Sequence, residues 1–186
     1  MKKSHQHIQN GLLSGAIFKE SPNQNGRPDS NDIHLIIVHG ISLPPEEFGG
    51  SCIDDFFLNQ LDPTQHSYFE EIHQLKVSSH LLIRRDGSIT QYVPFHHRAW
   101  HAGVSCHNGK ENCNDFSIGI ELEGADHILY TEEQYLELSR CCDSLIEHYP
   151  ALSKEAIVGH CDIAPGRKTD PGESFDWTKF RSLLSS

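Results

Sequence analysis

Ile33-His34-Leu35-Ile36-Ile37-Val38-His39 is a nearly continuous, β-branched apolar run. A strand with one wet face alternates apolar and polar residues; a run of this kind reads as a strand covered on both faces, as in a sheet with helices on each side. The strand is expected to end at His39. Before it, Ser21-Pro22-Asn23-Gln24-Asn25-Gly26-Arg27-Pro28-Asp29 is a polar loop of turn formers. After it, Pro44-Pro45 excludes helix, 54–60 reads as a short helix, and 66–75 sets Tyr68, Phe69, Ile72 and Leu75 at helical spacing.

Further out, 80–84 and 88–93 are β-rich and separated by Arg85-Asp86-Gly87, a hairpin signal that predicts antiparallel pairing. Ser117-Ile118-Gly119-Ile120-Glu121-Leu122-Glu123 alternates, so Ile118, Ile120 and Leu122 face one way and Gly119, Glu121 and Glu123 the other. The spacing predicts a helix over 132–149, with Thr131 as N-cap, Gln134 completing a capping box, and Tyr135, Leu138, Cys142, Leu145 and Tyr149 as its core stripe. A short strand over 156–160 ends in His160, 162–171 is loop, and a last helix starts near Asp176. Alternating strands and helices with one hairpin predict a single α/β domain whose central mixed β-sheet is flanked by helices.

Length leaves room for one ordinary domain: 186 residues. No apolar run approaches the roughly 18 residues of a membrane span, so a soluble protein with no membrane partner is expected. Fifteen Lys and Arg against 26 Asp and Glu give a net charge of -11, which repels a phosphate backbone and argues against nucleic acid. The six cysteines show no repeated spacing. Met1-Lys2-Lys3 is basic, but a polar stretch follows and no small-residue cleavage site comes after the brief apolar segment 11–18. The expectation is a cytoplasmic protein with reduced, mostly buried thiols, its domain spanning 20–186 after an unread segment, 1–19.

Two histidines stand out by position: His39 and His160 each finish an apolar strand, where α/β sheets gather functional groups. Lys168 and Asp170 sit two apart in a loop and point the same way if the chain there is extended. Two imidazoles and a carboxylate make a three-ligand zinc set with a fourth position left for water. Glu121 then offers a base, and Lys168 a positive charge for a developing oxyanion. Spacing alone leaves the plainer readings open: strand-end histidines as ordinary core residues, Asp170 before Pro171 as a turn former, Glu121 as half of an ion pair. A Cys161/His160 nucleophile pair is poor geometry, because adjacent residues of a strand face opposite ways; Cys161 reads as a buried structural thiol.

Five blocks in chain order bear on this choice: Val38-His39-Gly40 through Gly50; Ser79-His80 through Gly87; Arg98-Ala99-Trp100-His101-Ala102-Gly103; Asn114-Asp115-Phe116 through Gly124; and Gly159-His160-Cys161 through Gly172. Together they resemble the cytoplasmic AmpD-type N-acetylmuramyl-L-alanine amidases over about residues 20–181. The resemblance implies the zinc amidase fold shared with phage amidase-lysozymes and peptidoglycan recognition proteins, with a groove over the metal. It places the zinc ligands on His39, His160 and Asp170, the family's glutamate on Glu121 and its loop lysine on Lys168. Ser79 stands where phage relatives carry an assisting tyrosine, so more of the proton work falls to Glu121. The implied substrate is an anhydromuropeptide from cell-wall turnover, cut between the lactyl group and L-alanine. Trp100, Ala99, Lys76 and Gly40 are the candidate substrate contacts. Trp100 reads equally as a flat face for the sugar or as a core aromatic, and Arg84 or Arg85 as receivers of peptide carboxylates or as solvated hairpin residues. Gly40 and Asn112 depart from the asparagine and arginine of close relatives. Two rivals share the pattern: an amidase of polymeric peptidoglycan, and a module that binds muropeptide without cutting it.

Overall fold

The apolar run lies at the heart of a six-stranded sheet in a computed structural model that describes residues 6–185. The strands are β1 (Ile17–Phe18), β2 (Leu35–Ile41), β3 (Leu81–Ile83), β4 (Ile89–Gln91), β5 (Ser117–Glu123) and β6 (Ile157–Gly159), in the spatial order β6-β2-β5-β3-β4-β1. β6, β2, β5 and β3 are mutually parallel, while β4 pairs antiparallel with β3 through the predicted hairpin, so the sheet is mixed. Gly87 makes that turn possible at φ +83°, a conformation that side chains resist.

β2 does not stop at His39. Gly40 and Ile41 keep pairing with Leu122 and Glu123, because β5 is long enough to carry them, so His39 lies inside the strand. His160 likewise follows β6 rather than ending it, and opens a short helix.

The helices are α1 (Cys52–Phe57), α2 (Ser67–Ile72), α3 (Glu132–His148), α4 (His160–Ile163) and α5 (Trp177–Leu183). α1 ends early because Asn59 takes φ +61° and the chain closes on itself, Asn59 N–H donating to Phe56 O and Gln60 N–H to Asp55 O. α3 has both halves of its capping box in place. Its Tyr135, Leu138, Cys142 and Leu145 pack on Ile36, Val38, Ile118, Ile120 and Leu122, with Phe180 of α5 in the same core. The opposite side of the sheet carries two smaller apolar clusters. One joins Phe57 of α1 and Phe69 of α2 to Leu82 and Tyr92; the other joins Leu35 and Ile37 to Phe116 and Ile163.

Part of the unread N-terminal segment joins the main core. Ile8–Gln9 pairs with Leu12–Leu13, and Ile8 and Leu13 are buried against α3. The basic start at Met1-Lys2-Lys3 lies outside the described residues. Among these, no helix is long and apolar enough to cross a membrane. All six cysteines are unpaired, but only Cys113, Cys141 and Cys142 are buried; Cys106 is exposed, and Cys161 is half-buried in α4 rather than enclosed.

Candidate metal centre

Strand register brings the first two groups together. Glu121 of β5 is the cross-strand partner of His39 in β2, and both are buried. β6 lies on the other side of β2, with Gly159 opposite Val38, so the chain leaves β6 beside His39. Asp162 accepts from Gly159 N–H at 2.7 Å and turns it into α4. The loop after α4 folds back, and Cys161 N–H donates to Asp170 O at 3.0 Å, which sets Asp170 against His160. A side chain at 159 would press on Pro171 Cδ at 3.0 Å, so the glycine lets this return pass close to the strand.

Three ligand atoms result, each near the other two. His39 Nδ1 is 3.0 Å from His160 Nδ1 and 3.2 Å from Asp170 Oδ2, and His160 Nδ1 is 3.1 Å from the same oxygen. The outer nitrogen of each ring is engaged elsewhere: His160 Nε2 lies 3.2 Å from Ala102 O, an acceptor, and His39 Nε2 lies 2.9 Å from His101 Nδ1. With the protons on those outer nitrogens, both Nδ1 lone pairs and a carboxylate converge on one point, an arrangement that calls for a cation. Zinc bonds of about 2.0–2.1 Å in a tetrahedron set donor separations near 3.3 Å, and the triangle here fits.

Electrostatics agree. Burial pushes the His39 imidazole down to about 4, against a smaller upward pull from Asp170, so the ring is neutral and ready to bind. Burial works against ionisation of Asp170, but the two imidazoles set against it, His160 first and then His39, favour the charged form more strongly and hold the carboxyl well below the usual range. Glu121 goes the other way. Burial, then the charge of Asp170, raise it well above the usual carboxylate range, with Lys168 opposing, and its Oε2 is buried without a hydrogen-bond partner among the described residues.

These groups open on a groove of about 280 Å³. His39, Glu121, His160, Lys168 and Asp170 supply its polar lining; Leu43, Phe56, Phe57, Tyr68, Ile72 and Leu75 supply an apolar wall. The five residues singled out for chemistry are therefore all present, and Gly40 lines the groove with them. The other candidate contacts are not part of that lining. Ala99 is fully buried in the cluster around Phe57 and Tyr92 and has no surface to offer; Trp100 is half-buried with its indole N–H on Asn25 Oδ1 at 2.8 Å; Lys76 is exposed outside the groove. Arg84 is committed to Asp54 and Glu123, each at 3.0 Å, and Arg85 lies over the Phe48 ring. Three groove residues escaped the sequence reading of function. Tyr68 and Leu75 look like core positions by spacing but stand 37% and 50% exposed, and His101 carries no spacing signal at all.

A protein-family model described as N-acetylmuramoyl-L-alanine amidase matches residues 29–173. The chain belongs to that family. The matched span contains all three ligand candidates, Glu121 and Lys168, so this amidase, a hydrolase of amide bonds, carries the groove within its family region. It is 56% identical over 178 residues to the 1,6-anhydro-N-acetylmuramyl-L-alanine amidase AmpD of Escherichia coli K12, covering 96% of this chain and 97% of that protein. Among solved structures it superposes on a selenomethionine derivative of AmpD with a TM-score of 0.93, 54% identity and coverage of 96% and 99% of the two chains. The amidase AmiD of Escherichia coli, solved in complex with the substrate anhydro-N-acetylmuramic acid-L-Ala-D-gamma-Glu-L-Lys, matches with a TM-score of 0.60, 27% identity and coverage of 87% and 62%.

Proposed function

We propose that this amidase is zinc-dependent and cleaves the amide between the lactyl group of anhydro-N-acetylmuramic acid and L-alanine in muropeptides, for cell-wall recycling in the cytoplasm. The observation that carries the reading is the meeting of His39 Nδ1, His160 Nδ1 and Asp170 Oδ2 within 3.2 Å of one another, in a groove that also holds Glu121 and Lys168. The substrate class rests on the near full-length likeness to AmpD and on the ligand of the AmiD complex. Six unpaired thiols suit a reducing compartment. In this reading every reacting group comes from residues 20–186.

His39, His160 and Asp170 would hold the zinc. When bound, it supplies Lewis acidity that polarises the scissile carbonyl and makes water more acidic. Glu121 takes the proton of the attacking water on a carboxylate oxygen, the half of the transfer that its raised proton affinity favours, and hands it to the leaving alanine nitrogen. The Lys168 ammonium offsets negative charge on the carbonyl oxygen. Gly40 lines the groove and leaves room for the Tyr130 hydroxyl, which a side chain there would meet at 2.5 Å, and the apolar wall shields the reaction from bulk water.

The test is metal analysis of the purified protein together with mass spectrometry of a soluble anhydromuropeptide digest, repeated on intact sacculi. Stoichiometric zinc and release of the peptide from the soluble substrate are expected. His160→Ala should lose zinc and cut the rate about a thousand-fold or more, as several kcal/mol of Lewis-acid stabilisation disappear. Full turnover by metal-free protein, or a preference for sacculi, overturns the reading.

A further inference from the structure

The ring of His101 stands edge-on to His39, with centroids 5.0 Å apart and planes at 88°, and its Nδ1 lies 2.9 Å from His39 Nε2. On its far side, His101 Nε2 lies 3.3 Å from Ser117 Oγ, and that hydroxyl donates its own proton to Cys113 O at 2.6 Å. The direction of the chain follows. Ser117 has spent its proton, so it can only accept from His101 Nε2–H; a neutral imidazole carries one ring proton, so His101 Nδ1 accepts from His39 Nε2–H; His39 Nδ1 is left with its lone pair toward Asp170 and His160.

The next residue does the same for the other histidine, since Ala102 O lies 3.2 Å from His160 Nε2. Asn114 Oδ1 holds this two-residue segment in place, accepting from the backbone N–H of His101 at 3.1 Å and of Ala102 at 2.8 Å. The sheet makes room for it: a methyl group on Gly119 of β5 would sit 2.5 Å from His101 Cγ, well short of van der Waals contact with the ring.

We propose that His101 is a positioning residue that fixes the tautomer and the aim of His39, so that the His101–Ala102 segment presents both ligand histidines to the metal with their inner nitrogens unprotonated. The inference rests on the zinc reading of the site and goes beyond the ligand set itself. Outer hydrogen bonds to ligand histidines are worth about 10–100-fold in metal affinity. His101→Leu keeps bulk but removes the acceptor, whereas His101→Asn returns an oxygen near the place of Nδ1.

Zinc affinity, read by chelator competition on native protein and both variants, and nitrogen-15 spectra of the zinc-free native imidazoles test the idea. The expected results are a proton on His39 Nε2 in the native protein, about 10–100-fold weaker zinc binding by His101→Leu, and binding by His101→Asn close to native. His101→Leu binding zinc as tightly as native, His101→Asn binding as weakly as His101→Leu, or a proton on His39 Nδ1 would overturn it. If His101→Leu does not fold, the tautomer and the asparagine variant still decide. Native protein that takes up no zinc removes the metal reading and this inference with it, and is distinguished from the other outcomes by the native measurement alone.

Discussion

β2 and β5 present two unlike faces to the rest of the molecule. Toward α3 they show Ile36, Val38, Ile118, Ile120 and Leu122, all fully buried in one apolar cluster. On the other side, beyond the apolar Leu35 and Ile37, the same strands show His39 and Glu121 to the groove and Glu123 to Arg84, also buried but each with a specific polar role or an unmet one. Burial is equal and the chemistry is opposite. On the first face what matters is volume, so residues of like size exchange at little cost. On the second, single atoms matter, because a buried polar group without its partner loses more free energy than a hydrogen bond gains.

A substitution on each face separates the two. Glu121→Gln should lower the rate by about 10²–10⁴, the usual worth of a positioned acid–base group, while leaving zinc content and denaturation midpoint near native. Steady-state kinetics beside urea unfolding check this, and a near-native rate would assign the proton transfer elsewhere. Leu138→Ala, on α3, should do the reverse: about 2–5 kcal/mol of stability lost to a cavity, with rate per folded molecule and zinc affinity unchanged.

Acid also acts on one face only. In the zinc-free protein burial holds His39 neutral down to about pH 4, against an ordinary value of 6.5, and the buried His80 and His101 are likewise held low. Between those limits the unfolded chain binds protons that the folded one refuses, so these groups make stability fall as pH drops from 6.5 toward 4, His39 by at most about 3 kcal/mol. Asp170, depressed well below 3.8, stays ionised in the folded state across this window and adds to the decline only near its lower end, where the unfolded carboxyl begins to take up protons. Glu121 has the opposite sign, because its raised folded value stabilises the fold as pH falls. Urea midpoints of zinc-free Glu121→Gln should therefore decline more steeply from pH 6.5 to 4 than those of the wild type; parallel curves would mean that Glu121 titrates normally.

The packing face was the more legible in the sequence. The alternation over 117–123 and the stripe on α3 are periodic signals of residue type, and both elements form within a residue of their expected bounds. The site face is not periodic. The resemblance put His39, Glu121, His160, Lys168 and Asp170 into one set, and they do line one groove, but spacing alone left each with a plainer reading. What failed depended on tertiary neighbours: β2 outran His39 because β5 supported it, and Ala99 lost its surface to the cluster around Phe57. His101 was invisible as a positioning group, since nothing in Trp100-His101-Ala102 tells that its ring will lie over a glycine in a strand it precedes by no regular spacing.

The smallest effect tests whether the faces are mechanically separate. Thr131 Oγ1 accepts from Gln134 N–H at 3.2 Å and donates to Arg85 O at 2.7 Å, so the α3 cap is tied to the β3–β4 turn. Gln134 completes the link: its Oε1 accepts from Thr131 N–H at 3.1 Å, and its Nε2 donates to Glu123 O at 2.9 Å, two residues beyond Glu121 on β5. Thr131→Ala should cost about 1 kcal/mol of stability, the common price of a lost N-cap, and Thr131→Ser should restore it, since serine keeps the hydroxyl. The rate of the folded enzyme should not move in either, because β5 is held at Glu121 by its pairing with β2 and β3 on both sides rather than by the helix cap. A Thr131→Ala enzyme that loses rate as well as stability would show that the end of β5 transmits the state of α3 to Glu121, and that the two faces act as one body.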